Sequence, residues 1–569
     1  MKKTYLLFVV FFIAFAALLV RLFYWQVVKG SDLSRQAKLQ YNSGQVLSAP
    51  RGNISASDGS YLAVGTDSWL VYATPPEITE TSKKIANILS PFFVSDAEGK
   101  QSLLDETNRL QALLEKSGVV WTPLKQKVTP EVKKNIEALN INGIGFERQE
   151  IRFYPEASSA AQLLGFVGKN EAGEDVGYFG LEGYYDLSLS GKFGYVGREK
   201  GGGGAPILLG GSHQASAIDG VDLVTSIDKR IQLMVEKKLS EGLKRYEAKA
   251  GSVIVMNPFT GNIFAMASEP SYDPASYWDY GDEYFKNPVA SDSFEPGSVF
   301  KVIIMASALD AGVVEPDTKC DICTGPLRVD KYDIDTWDGK YYPDSTMTEV
   351  IVHSDNVGMA SVGQKMGVEN MYDYLDKFGI GKSTGIDLQG EAAVPLRKKG
   401  TWNIVDLATA SFGQGVSVTS IQMARAVSVI ANGGELITPN VVQKLKSDGW
   451  EEEIKSNKGV RIISEKAAEE MTAMMVEAAK HGEAKWTDVP GFGVAGKTGT
   501  AQIPIAGHYD ADKTIASFVG FAPSDKPKFL MFVTLREPQS SQWASETAAP
   551  LWYSIAKDLF PYFGIHPEN

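Results

Sequence analysis

The chain is 569 residues long, with 56 Lys+Arg against 69 Asp+Glu, two Cys and five His. A net charge of −13 excludes a general nucleic-acid binder, which needs basic surface to displace phosphate counterions. Hydrophobic (44%) and charged (22%) fractions exclude wholesale disorder, and two Cys exclude a disulfide-stapled scaffold or a Cys-rich zinc module.

At roughly 150 residues per domain, the length suggests three or four domains. The charge is uneven. Residues 1–220 balance 22 basic against 22 acidic side chains, whereas residues 221–569 hold 34 basic and 47 acidic. The whole deficit therefore sits in the second part.

Lys2 and Lys3 precede an apolar run from Tyr5 to Val20, resumed after Arg21 by Leu22, Phe23, Tyr24 and Trp25. A bilayer core takes about 20 mostly apolar residues. The run predicts one transmembrane helix over residues 1–28, N-terminus cytoplasmic, with the rest of the chain exported. Ala14-Phe15-Ala16 has the small-x-small form of a cleavage site, but the apolar residues Ala17 to Val20 beyond it favour an uncleaved anchor. In an exported chain, Cys320 and Cys323 either close a small disulfide or stand as two free thiols. The His residues (213, 353, 481, 508 and 566) are scattered without an H-E-x-x-H pattern, so no metal or cofactor site is expected.

Residues 29–220 mix short strand-like stretches, Leu62 to Val64 and Leu70 to Ala73, with a polar helix-rich stretch over 80–140. Gly201 to Gly204 and Gly210-Gly211-Ser212 read as a flexible linker, because no Lys-Ser/Thr follows as a P-loop requires. A new domain, 221–569, opens with a strand from Asp222 to Ile227. Asp228 then caps a helix with Ile231, Met234, Val235 and Leu239 on one face. A hairpin of Ser252 to Met256 and Ile263 to Met266 follows. Helices fill the middle, and strands return at Gly493 to Ile503, Ile515 to Phe521 and Phe529 to Leu535. A last helix carries Trp552, Ile555 and Leu559. Strands at both ends predict one α/β domain whose sheet is completed by its C-terminus.

Three motifs carry chemistry. In Ser298-Val299-Phe300-Lys301, preceded by Pro296-Gly297, a helix starting at Ser298 sets the Lys301 amine beside the Ser298 hydroxyl. The helix dipole and burial disfavour the ammonium, making Lys301 a base for a Ser298 nucleophile. In Ser354-Asp355-Asn356, Ser354 can relay a proton, while the Asn356 amide can bind a substrate amide and hold Lys301. In Lys497-Thr498-Gly499-Thr500, on a strand, Lys497 and the Thr hydroxyls suit a substrate carboxylate, and Gly499 permits close backbone approach. The Thr500 and Ser298 N–H groups could together form an oxyanion hole. Each motif alone reads equally as a solvated pair, a polar turn or an edge strand. The ordered set does not.

Ser-x-x-Lys, Ser-x-Asn and Lys-Thr-Gly in this order resemble the penicillin-recognising serine acyltransferases. Phe294 to Lys301, Asn257 to Gly261, Thr384 to Leu388, Phe412 to Gly415 and Ser517 to Pro523 resemble class B penicillin-binding proteins. So do Arg51-Gly52-Asn53-Ile54, Arg152 to Pro155 and Gly180-Leu181-Glu182 in the first half. Ser55 to Gly59 departs from the family's Asp-Arg-Asn-Gly.

The resemblance implies a monofunctional peptidoglycan D,D-transpeptidase. Its fold would be an α/β (α+β) domain with an antiparallel central sheet flanked by helices, behind a mixed α/β pedestal and the membrane anchor. Ser298 would be acylated by stem peptides of lipid II-derived glycan strands and by β-lactams. Implied partners are a SEDS-family glycosyltransferase and other divisome or elongasome membrane proteins. Ser-Asp-Asn with Lys-Thr-Gly-Thr leans towards a division or septal role. A β-lactamase would add a Glu-x-x-Leu-Asn, which is absent between Ser354 and Lys497. A D,D-carboxypeptidase or a β-lactam sensor stands as the alternative. Residues 269–338 hold 5 basic and 15 acidic side chains, read as solvated loops or as an acidic rim attracting the acceptor amine.

Overall fold

The computed structural model describes residues 2–29, 42–47, 49–94, 99–199, 212–454, 459–505 and 508–567. The glycines 201–204, 210 and 211 of the expected linker lie outside them. The chain forms two compact units, residues 1–51 with 190–220, and residues 52–189 with 221–569.

In the smaller unit, Lys2–Phe23 is one helix, continued by a π-helical turn over Tyr24–Val28. Among the described residues, no helix is long and apolar enough to cross a membrane. The unit also holds a three-stranded antiparallel sheet of Asn42–Leu47, Gly194–Glu199 and Ser212–Ala215.

The larger unit contains a seven-stranded sheet that draws on both halves of the sequence. Ile54–Ser55, Tyr61–Ala73, Thr122–Val128 and Ile144–Phe153 come from the expected pedestal, and Asp222–Thr225, Val442–Ser447 and Trp450–Glu453 from beyond it. The junction is a parallel pairing of Leu223 with Ile54. Leu62 to Val64 and Leu70 to Ala73, expected as separate strands, are parts of one strand. The polar residues between them stay extended because the backbone is paired throughout, with Thr66 opposite Ile151 and Ser68 opposite Gln149. The departing segment Ser55 to Gly59 makes a tight turn in which Asp58 accepts from the Ser60 N–H and hydroxyl.

Three separated signatures meet at Arg152. Its Nε donates to Glu182 at 2.6 Å and its Nη1 to the Gly52 carbonyl at 2.8 Å. Both side chains of the ion pair are almost fully buried. Nearby in sequence, the Tyr185 hydroxyl donates to Asp387 at 3.0 Å. Asp387 also receives the N–H groups of Val441 and Val442. Burial pushes the Asp387 carboxyl upward against these bonds.

Residues 221–569 build a second sheet between helical layers. Helix α1 (Lys229–Tyr246) starts at Asp228, whose carboxylate accepts from the Arg230 and Ile231 N–H groups. Strands β1 (Ala250–Met256) and β2 (Ile263–Glu269) form the expected hairpin. Then come α2 (Lys301–Asp310), α3 (Met347–Val352), α4 (Asn356–Lys377, kinked at Gly367), α5 (Ser420–Ala431) and α6 (Glu465–His481). Strands β3 (Ala495–Ile505), β4 (His508–Ala522) and β5 (Phe529–Arg536) and helix α7 (Ala548–Tyr562) complete the chain.

The sheet order is β2-β1-β5-β4-β3, antiparallel throughout. The first hairpin thus pairs with the last strand, Val253 opposite Val533, as the pattern of strands at both ends predicts. Successive residues serve opposite faces. Val253, Val255, Met531 and Val533 pack with α1 and α7 residues such as Val235 and Trp552. Ile254, Met256, Leu530 and Phe532 pack with the α2, α4 and α5 layer. Burial on both faces explains why these strands read as continuous apolar runs. Cys320 and Cys323, left open by the sequence, close a disulfide in the connection between α2 and α3.

Replacing Arg152 by Ala withdraws a guanidinium from a carboxylate with no exposed surface. The expected loss is about 3–5 kcal/mol of unfolding free energy, read from urea denaturation.

Candidate active site

Ser298 lies on a 3₁₀ turn, Gly297–Phe300, and the α-helix begins only at Lys301. The sequence predicted an α-helix from Ser298. The tighter turn has a local cause: Gly297 enters it at a φ of 58°, and its N–H bonds the Gly413 carbonyl at 3.1 Å. With three residues per turn, Ser298 and Lys301 still share one side. Ser298 is half-buried, and its N–H falls in the first turn, where a helix has no internal acceptor.

The Lys301 amine is fully buried, and its hydrogen bonds run to the second motif rather than to Ser298. Nζ donates to the Ser354 carbonyl at 2.6 Å, the Asn356 Oδ1 at 2.7 Å and the Ser354 Oγ at 3.3 Å. Ser354 sits between α3 and α4 with a φ of 55°, a left-handed conformation unusual for serine. That conformation lets one residue present both its carbonyl and its hydroxyl to Lys301. Strain of this kind needs over-determined surroundings. Here Asp355 supplies part of them by capping α4 through the Val357 and Gly358 N–H groups. Asn356 is oriented from its other end, its Nδ2 donating to the Asp335 carbonyl at 3.0 Å.

The third motif lies on β3, the edge strand, next to the 3₁₀ turn. Lys497 donates to Ser354 Oγ at 3.0 Å and to Thr498 Oγ1 at 3.1 Å. One serine hydroxyl is therefore shared by two lysines. Gly499 does admit a close approach, but what approaches is this chain's own turn. A Cβ there would meet Val299 Cγ1 at 2.8 Å and Val299 N at 3.0 Å. Thr500 Oγ1 accepts the Ala544 N–H at 3.0 Å and keeps its own proton free to donate.

Electrostatics follow from this packing. Burial, helped by the Lys497 charge, pushes Lys301 down to about 7. Burial also lowers Lys497. Glu483 opposes both shifts, and Asp355 opposes the one on Lys301. Sequence reasoning missed Glu483, which accepts from Thr498 Oγ1 at 2.9 Å. It stands alone in the sequence, so no motif could have found it. Trp337 and Trp543 were also missed. They meet edge to face at 5.2 Å, and Trp337 Nε1 donates to the His353 carbonyl next to Ser354. Among the described residues, no cluster of His, Cys, Asp or Glu could hold a metal.

A serine on a helix-entry turn, a buried lysine whose amine holds its proton less tightly than usual and a hydroxyl linking two amines are the parts of a serine acyltransferase site, set on a helix-flanked antiparallel sheet. Residues 251–559 match the penicillin binding protein transpeptidase domain, and residues 46–225 match the penicillin-binding protein dimerisation domain. The chain belongs to the penicillin-binding protein transpeptidase family, and with that pair of domains it is a class B member and a serine-type transpeptidase. It is 32% identical to stage V sporulation protein D of Bacillus subtilis, covering 99% of this chain and 86% of that protein. It is 30% identical to the probable peptidoglycan D,D-transpeptidase PenA of Neisseria meningitidis, covering 98% and 92%. A crystal structure of a peptidoglycan synthetase from Bifidobacterium adolescentis superposes with a TM-score of 0.74 at 26% identity, covering 93% of this chain and 98% of that one.

Gly499→Ala forces the new methyl onto Val299. Overpacking of this kind costs about 1–3 kcal/mol. Displacing the turn is expected to slow labelling by a fluorescent penicillin, measured as a second-order rate constant, more than it lowers the melting temperature of the whole chain.

Proposed function

We propose that the chain is a peptidoglycan D,D-transpeptidase acting through an acyl-enzyme on Ser298. The observation that carries this reading is the linkage of three motifs through Ser354 Oγ, which lies 3.3 Å from Lys301 Nζ and 3.0 Å from Lys497 Nζ. Neutral Lys301, its two protons on the Ser354 carbonyl and the Asn356 Oδ1, takes the Ser298 proton on its lone pair as Oγ attacks the penultimate D-Ala carbonyl of a stem peptide. The Ser298 and Thr500 N–H groups receive the oxyanion. Ser354 passes the proton from Lys301 to the leaving D-Ala amine, leaving an ester on Ser298. An amine from a second stem then attacks that ester, forming the cross-link and regenerating the hydroxyl. Lys497, with the Thr500 hydroxyl and the backbone at Gly499, receives the donor carboxylate, while the Thr498 hydroxyl, its proton held by Glu483, steadies Lys497. Asn356 binds the donor amide and holds Lys301. β-Lactams acylate the same serine.

The N-terminal apolar run anchors the chain as a single pass, with residues 29–220 as a pedestal and residues 221–569 as the catalytic domain outside the membrane. Lys2 and Lys3 placed ahead of the apolar residues Tyr5 to Val20 support this topology. The pedestal contacts a SEDS-family glycosyltransferase and other divisome or elongasome membrane proteins, a role the class B resemblance supports. Ser-Asp-Asn and Lys-Thr-Gly-Thr support a septal rather than an elongation role. The second reading is a D,D-carboxypeptidase or a β-lactam-binding sensor with little turnover.

Fluorescent penicillin should label the wild type and leave Ser298→Ala unlabelled, and persistent labelling of that variant refutes the site. Because Lys301 is lowered to about 7, its neutral fraction grows as pH rises. Acylation should climb about tenfold per pH unit below that value and level off just above it, falling again only where the Lys497 ammonium is lost at higher pH. A flat profile between pH values of about 5 and 8, or wild-type acylation by Lys301→Ala, removes Lys301 as the base. Cross-linked dimer formed from lipid II polymer separates transpeptidation from carboxypeptidation, which releases D-Ala alone. Depletion should give filamentous cells. Rounded cells, or a defect confined to sporulation, overturn the septal role.

A further inference from the structure

Glu483 belongs to none of the three motifs, yet it touches their centre. It lies between the end of α6 at His481 and a 3₁₀ turn over Lys485–Thr487. Its Oε2 accepts the Thr498 hydroxyl proton at 2.9 Å. The same Thr498 oxygen receives Lys497 Nζ at 3.1 Å. A hydroxyl has one proton and two lone pairs. By taking the proton, Glu483 turns the lone pairs towards Lys497. The carboxylate is half-buried, where water and salt screen a charge less than at the surface.

We propose that Glu483 is a positioning residue for the transpeptidase reaction: through Thr498 it holds the Lys497 side chain and keeps it an ammonium, so that of the two adjoining lysines Lys301 is the neutral base. The proposal rests on the roles given above to Lys301 and Lys497. Two buried amines beside one hydroxyl share their protons unequally only if something near one of them breaks the symmetry. Thr498 and Glu483 stand on the Lys497 side, while the Ser354 carbonyl and Asn356 Oδ1 stand on the Lys301 side. The first pair brings a full negative charge into the hydrogen-bonded chain that reaches Lys497; the carboxylate on the Lys301 side, Asp355, bonds the Val357 and Gly358 N–H groups instead.

The charges around Glu483 fit this division. Lys497 on β3 and Lys301 on α2 both feel it, and its effect opposes the burial that lowers each. Lys497 is the second-largest influence lowering Lys301. Asp355, at the head of α4, acts on Lys301 in the same sense as Glu483. On its own segment His481 and Lys485 are exposed, and His481 pairs with Glu477. The chain Glu483, Lys497, Lys301 therefore alternates negative, positive and neutral, the order that lets a buried cluster avoid two adjoining cations.

The test is the pH dependence of acylation by a fluorescent penicillin, whose carboxylate needs the Lys497 charge. Wild type, Glu483→Gln and Glu483→Asp are compared over pH values of about 6 to 10, with thermal melts of each. Glutamine keeps an acceptor for Thr498 but no charge. Its alkaline limb should move to lower pH, slowing acylation at least about fivefold near pH 9 while the rate near pH 6 is retained. Aspartate keeps the charge and should keep the alkaline limb close to wild type. A uniform drop at all pH values in Glu483→Gln, with unmoved limbs, means a purely structural contact and overturns the proposal. Equal shifts in the Gln and Asp variants also overturn it. A wild-type profile with no alkaline limb, or labelling away from Ser298, instead overturns the underlying roles of Lys497 and Ser298.

Discussion

Two lysine amines are buried around a single serine hydroxyl, and much of the surrounding architecture answers that constraint. Water would ordinarily solvate both charges, and here neither lysine is exposed by more than 3%. Adjacent buried cations are costly, and burial lowers both amines, Lys301 down to about 7 with the Lys497 charge helping. Lys301 is enclosed by the Ser354 carbonyl and the Asn356 amide oxygen. Those acceptors exist because Ser354 takes a backbone conformation that serine rarely adopts, and that conformation persists because Asp355 caps the following helix. The lowered proton affinity of Lys301 is thus a consequence of desolvation, with the local fold arranged to survive it.

The scaffold has to bring three distant segments together without an exposed gap. It does so by fixing the edge strand β3 against the turn that bears Ser298, with no side chain between them at Gly499. Strands β1, β5 and β4 set the position of that edge, and the helical layers on both faces hold the strands. The region beneath is continuous with the first half of the chain: a seven-stranded sheet spans both, and the Tyr185 hydroxyl reaches Asp387 across the same junction. The buried pair of Arg152 and Glu182 lies within the first half itself, where losing either partner would strand a charge in the interior.

The grouping of Lys301, Ser354, Asn356 and Lys497 was legible because the three motifs are read as one ordered set, and the hydrogen bonds among them join its parts. The β1–β2 hairpin, the Asp228 cap and the closing strands were legible because buried strands are apolar and caps are polar. The failures have physical reasons. The strand Tyr61–Ala73 looked broken because backbone pairing, not side-chain pattern, keeps its polar middle extended. The turn at Ser298 looked α-helical because residues three apart align in either helix type, and only the Gly297 conformation separates them. Cys320 and Cys323 allowed two states that spacing alone does not distinguish. Glu483 was invisible because its importance comes from what folds against it.

The strand order also sets when the sheet beside Ser298 can close. Ser298 lies near the middle of the chain, whereas β3, which packs against its turn, and β5, which joins the sheet's two parts, come close to the end of it. Because β5 sits between β1 and β4, the β1–β2 hairpin and the β4–β3 pair become one sheet only when β5 is in place. A chain cut before β5 would hold the Ser298 turn without the completed sheet beside it. The burial that surrounds Lys301 and Lys497 therefore waits on the last strand of the sheet.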